Sequence, residues 1–281
     1  MRRIFLLLIV LLILPVSAYA EKLAFLGFDG NYWQVFAIAE KGGTPTKLTD
    51  TPVDKTNISI DRQHNRLLYS TNTGALLVQS IKTGEAVELD VGHTGMTDAT
   101  ISSDGQQVAY SLSTTGSVDN NDIWLFHLKS KKLRKLTNEQ GLQHHPAWSP
   151  DNDRLLFLGG DGQQNHDIFA IDIAGKSITQ LTAGNLYNFG VDVSVRNEVL
   201  FSSNRQGSYD IYTMSLRGSD IKRLTFEPSF EGEPSWSEDG SKIVYVSTET
   251  GKRQLHIIKR DGSGKRIIPT NLSVRNPVWL K

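Results

Sequence analysis

Six residues recur at one point of a repeated pattern, each near the start of a short run rich in β-formers: Asn57, Asp98, His145, Gly190, Glu233 and Asn276. Brought round a common axis, they would make a mostly polar ring facing a funnel, able to receive a peptide, a sugar or a cation. The competing expectation is that they cap strand starts and bond neighbouring backbone. Two loops add imidazole and aromatic groups near the same place: Gln140–His145, with His144 beside His145, and Asn185–Phe189, which brings Tyr187, Asn188 and Phe189. Aromatic side chains with polar tips suit contact with peptide or sugar. His144 and His145, with Asp98 and Glu233 as carboxylate neighbours, are donors of the kind that hold a divalent metal. No stretch shows the tight ligand spacing of a recognised zinc motif.

Most other chemistry-bearing residues have structural explanations. His256 aligns with Tyr212, Phe169, Trp124 and Phe36 on equivalent runs, which makes it a core position. His127 lies on a strand and His64 in a turn, while His93 and His166 are loop residues. Asp122, Asp167 and Asp210 precede three equivalent runs. A residue needed once for catalysis does not need three copies, so turn and backbone bonding explains them. Trp148, Trp236 and Trp279 share one slot and read as core. Asp104-Gly105, Asp239-Gly240 and Asp151–Asp153 lack the continuation of a calcium loop and read as hairpin turns. There is no GxSxG elbow. No catalytic set is expected.

The elements that would position the ring are short strands. Phe201–Thr225, with the few residues before it, reads as three strands separated by Gly207 and Gly218 turns, with branched and aromatic residues in the runs. The unit repeats. Leu-Thr closes it at Leu48-Thr49, Leu136-Thr137, Leu181-Thr182 and Leu224-Thr225, with weaker versions at Leu89-Asp90 and Ile267-Ile268. The marks fall about 41 to 47 residues apart, the period of four-stranded propeller blades. A further strand follows each mark and a polar loop, clearest as HPAWSPDND at His145–Asp153 and EPSWSEDGS at Glu233–Ser241.

These marks resemble the TolB-like (PD40, WD40-like) propeller repeat, in which a "PxWSPDG" strand leads to "IAFxSxRxGxxxIYxMDxDGxxxxxLT". The likeness covers nearly all the chain after Ala20 and is closest in Val199–Thr225 and Glu233–Ser263. It implies an all-β, six-bladed propeller. The first unit lacks an inner strand, and Pro277–Lys281 is expected to supply it and close the ring, removing exposed sheet edges. The resemblance extends to the propeller half of the family alone; a counterpart of the family's preceding α/β domain is not expected.

Met1–Ala20 has a basic start at Arg2-Arg3, an apolar run from Ile4 to Val16 and small residues at Ala18 and Ala20. This predicts a signal peptide cleaved after Ala20, export to the periplasm and one domain over 21–281. The 281-residue chain carries 30 basic and 30 acidic side chains; without Arg2 and Arg3 its net charge becomes −2. Such balance argues against nucleic acid as a partner. With no cysteine there are no disulfides. By resemblance, the expected protein is a monomeric, non-catalytic binding propeller of the cell envelope with a peptidoglycan-associated lipoprotein as leading partner. The alternatives are a metal-assisted saccharide lyase of the oligogalacturonate-lyase-like class and a small-ligand sensor or scaffold. No cofactor is expected, although a divalent cation in the channel stays open.

Overall fold

The computed structural model describes residues 21–113, 120–160, 165–174, 177–184 and 186–280. Met1–Ala20, with its predicted cleavage site, lies outside the described residues, as does Lys281. Among the described residues every regular element is a strand: 24 strands form six four-stranded antiparallel sheets. Each sheet is one blade. The inner strands are Val274–Trp279 in blade one, Lys55–Asp61 in blade two and Thr97–Ile101 in blade three. Blades four, five and six contribute Leu142–Trp148, Asn188–Val193 and Glu231–Trp236.

The repeat marks have direct structural meanings. In five blades the second and third strands pair an aromatic with an aromatic or, in blade six, a histidine: Phe25–Phe36, Tyr110–Trp124, Phe157–Phe169, Phe201–Tyr212 and Tyr245–His256. Blade two places Tyr69 opposite Leu77. His256 is fully buried in this ladder, as its alignment predicts.

The Leu-Thr mark is a latch on the third strand. Its Leu N–H donates to a third-strand carbonyl at 2.7–2.8 Å, and its Thr Oγ1 accepts the N–H of that same third-strand residue at 2.8–2.9 Å. The latched residues are Val35, Ile123, Ile168 and Ile211. The repeated aspartates serve this latch too. Asp167 accepts from Thr182 at 2.9 Å, while Lys135 and Arg223 on outer strands pair with Asp122 and Asp210 at 2.7 and 2.8 Å. Side-chain bonds of this kind fix the outermost strand, which is too short to hold itself.

The Ser-x-Asp turns close on themselves. Ser102, Ser149 and Ser237 donate to Asp104, Asp151 and Asp239, and accept the N–H of Gln107, Arg154 and Lys242. They are hairpin turns.

Apolar clusters join neighbouring blades rather than filling a centre. One, with Phe25, Phe36, Val244 and Trp279, bridges blades six and one. Others bridge each successive pair round to blades five and six. The tryptophans belong to these seams: the Trp279 indole N–H reaches the Ser235 carbonyl of the next inner strand at 3.2 Å.

The closing strand pairs with Lys22–Phe28, placing Leu23 opposite Trp279 and Ala24 opposite Val278. It starts at Val274, three residues earlier than the sequence signature, because Val274 is buried and pairs with Gly27. Leu280 then donates to the Lys22 carbonyl.

Candidate functional site

Five inner strands make the same departure from regular geometry at the same height. Asp98, His145, Gly190, Glu233 and Asn276 all have left-handed backbone, with φ of 51°, 51°, 60°, 54° and 44°. Each sits in a β-bulge opposite the second-strand aromatic. Left-handed backbone is costly for residues with a Cβ and persists where the surrounding structure enforces it. A bulge re-aims the side chain at that point. Blade two differs: its register shift falls between Lys55 and Asn57, and Asn57 is not left-handed.

The six aligned residues all line one central cavity of about 240 Å³. They also bond to one another around it. The Asn276 N–H donates to Glu233 Oε2 at 2.7 Å, and its side-chain amide donates to Asn57 Oδ1 at 3.1 Å. The Asn57 amide donates to the Ala99 carbonyl at 3.0 Å. His145 Nε2 lies 3.6 Å from Asp98 Oδ1. The two expectations for the ring therefore coexist: the residues tie neighbouring inner strands together and still present polar atoms to the channel. Gly190 leaves a gap in the ring. A Cβ there would lie 3.2 Å from Pro234 and 3.3 Å from Glu233, on a backbone already left-handed.

The remaining expected residues stand elsewhere. His144 precedes the bulge and does not line the cavity; its ring packs edge-on to His166 at 4.7 Å. Burial first, then His145 and His166, push its pKa far below the ordinary value, so it is neutral. Tyr187 packs at a tilt against His166, with ring centroids 5.1 Å apart, also away from the cavity lining. Asn188 is fully buried and bonds the His166 carbonyl, Thr182 and Arg205, which makes it a strut between strands.

Several site residues were not visible in the repeat. Arg253, from the loop before a third strand, ion-pairs with Glu233 and donates to the Val274 carbonyl at 2.9 Å. It lies over the Phe230 ring, which continues through Phe189 to His145 as an aromatic arc. Farther along the inner strands, Asp192 accepts the Trp236 N–H at 2.7 Å; burial pushes its pKa up against that bond. Arg62 lines the same cavity. The signal for Arg253 and Phe230 was their charge and aromaticity in loops of unequal length, which alignment on strands ignores.

One ring nitrogen each from His144 and His145 and one carboxylate oxygen of Asp98 lie within 4.8 Å of one another, a grouping of the size and donor type that could hold a metal ion. The two Nδ1 atoms are 2.7 Å apart.

Closed blades around a polar, bulge-lined channel mouth define a six-bladed β-propeller built on inter-blade seams. The chain belongs to the TolB beta-propeller family, whose domain model matches residues 58–279. It is 26% identical over 220 residues to the Tol-Pal system protein TolB of Helicobacter hepaticus, covering 75% of this chain and 51% of that one. Among solved structures it is similar to TolB from Acinetobacter baumannii, with a TM-score of 0.79, 19% identity, and 92% of this chain and 66% of that one covered. An oligogalacturonate lyase solved with manganese shares the fold at a TM-score of 0.63 and 16% identity, covering 87% and 73% of the two chains. The chain spans about a third to a half of the length of the curated TolB relatives it matches.

Proposed function

We propose that this chain is an exported, non-catalytic propeller of the cell envelope that docks a protein segment on its channel-mouth face. Cleavage after Ala20 would deliver residues 21–281 to the periplasm as a monomeric domain. The observation that carries the reading is the ring of left-handed bulges. Left-handed backbone at Asp98, His145, Glu233 and Asn276, repeated in four blades at one height, points to a surface that needs those side chains held in place. Asp98, His145, Glu233, Asn276 and Asn57 offer polar recognition. Phe189, beside the gap at Gly190, gives an apolar anchor of the kind that dominates docking sites.

Kinship with Tol-Pal TolB proteins supports a peptidoglycan-associated lipoprotein as the partner. Titration calorimetry of the mature chain against that lipoprotein from the same organism tests the reading. Wild type is expected to bind. Glu233→Ala, which frees the Arg253 guanidinium and unties Asn276, is expected to weaken binding at least tenfold. No binding, or equal binding by the folded variant, would exclude the mouth as the docking face.

A saccharide lyase working with a metal is the second reading, favoured by the convergence of Asp98, His144 and His145. It requires turnover: unsaturated sugar products accumulating from oligogalacturonate would establish it over docking.

A further inference from the structure

The bulge in blade four does something the other bulges do not. It sets two histidines in succession, one on the channel wall and one behind it, with their Nδ1 atoms 2.7 Å apart. At that distance a single proton bridges two nitrogen lone pairs. His145 turns its other nitrogen toward the carboxylate of Asp98 on the adjacent blade, 3.6 Å away. Behind them, the His144 ring packs edge-on against His166, and its Nε2 is buried with no hydrogen-bond partner.

We infer that Asp98, His144 and His145 form a binding site for one borderline d-block dication, of the Zn(II), Co(II) or Ni(II) class, in the wall of the channel. Two imidazoles and one carboxylate are the donor set that such ions prefer, whereas calcium and magnesium take oxygen ligands. In a tetrahedral site with bonds of about 2.0–2.2 Å, ligand atoms stand roughly 3.3 Å apart. The present donors span up to 4.8 Å. The two Nδ1 atoms, 2.7 Å apart, need to open by about 0.6 Å, while the Asp98 carboxylate, which lies nearest the opposite nitrogen of His145, has to swing in by up to about 1.5 Å. On binding, the proton shared between the histidines leaves to solvent and the metal takes its place. His166 packs edge-on against His144 from behind and limits the rotation of that ring.

Three protein ligands leave at least one coordination position open, and Asp98 and His145 both face the cavity. The ion would therefore be reachable from the channel by water or by a donor atom of a docked segment. The site does not depend on the docking reading: it consists of this chain's residues alone and is tested without a partner.

The test is titration of the purified mature chain with Zn(II), and separately with Co(II) followed by visible absorption. One ion per chain is expected, with Co(II) bands of a four- or five-coordinate site, and with Ca(II) and Mg(II) binding at least a hundredfold weaker. His145→Asn and Asp98→Asn use a side chain that tolerates left-handed backbone, so the bulge should survive. Each is expected to weaken Zn(II) at least tenfold, with unchanged circular dichroism, while His127→Gln, on a remote strand, binds as wild type. The proposal is overturned by absence of stoichiometric Zn(II) binding, by the same affinity in both asparagine variants, or by Ca(II) binding as tightly as Zn(II).

Discussion

A single buried carboxyl shows how far this fold departs from simple apolar burial. Glu231 is fully buried at the start of the inner strand of blade six, and its Oε2 has no hydrogen-bond partner. Burial pushes its pKa up to about 7; Thr225 and Lys265 oppose this, while Glu227 and Asp210 add to it. A raised folded-state value means that the protonated carboxyl is the one that the fold tolerates. Its contribution is fully present below about pH 4.5 and is lost as pH rises through about 7. Glu231→Gln is therefore expected to match wild type in thermal unfolding at pH 4 and exceed it at pH 8, by about 3 kcal/mol. A variant less stable than wild type at pH 8 would show that the carboxylate is held charged by partners. Residues also mark the limit of reading from sequence. The slots of Asp98, His145, Glu233 and Asn276 were legible because the repeat fixes their height. That Asn188 is a strut and His144 faces away was not, because near a bulge the alternation of faces breaks down.

At the scale of elements, the blade is held by its outermost and weakest strand. Outer strands here are two or three residues long, such as Lys222–Arg223 in blade five. They stay in place because the following Leu and Thr latch onto the third strand. Thr225 is buried and accepts the Ile211 N–H at 2.9 Å. Thr225→Val keeps the shape and removes the acceptor, leaving the Ile211 N–H unsatisfied. A loss of about 1–3 kcal/mol in chemical denaturation is expected, with Thr225→Ser recovering most of it. If Val and Ser variants behave alike, the hydroxyl is not the latch. This explains why Leu-Thr was the most legible mark in the sequence: every blade must solve the same edge problem, and four use the same two residues. Blade two, with Leu89-Asp90, keeps the Leu N–H bond to the Leu76 carbonyl, so the weaker mark preserves half of the device. The loops carrying Arg253 and Phe230 face no such shared constraint, and their contribution to the mouth could not be read from the repeat.

At the scale of the molecule, six seams close into a circle only because the last strand joins the first blade. Trp279, 2% exposed, packs with Val244, Val246 and Leu255 of blade six and with Leu23 and Phe25 of blade one. Trp279→Ala is expected to cost about 3–5 kcal/mol in chemical denaturation while unfolding stays a single transition. A loss under ~1 kcal/mol would mean that closure adds little to the ring. Closure also sets the mouth, since Asn276 on the same strand joins Glu233 of blade six to Asn57 of blade two. Docking of a partner protein at this mouth, as proposed, is tested by site-specific photo-crosslinking in intact cells. A crosslinking residue at Asn276 is compared with one at Val87, an exposed outer-strand position. A discrete adduct with a peptidoglycan-associated lipoprotein is expected from position 276 and none from position 87. An adduct from position 87 alone, or none from position 276 in folded, exported protein, would contradict it.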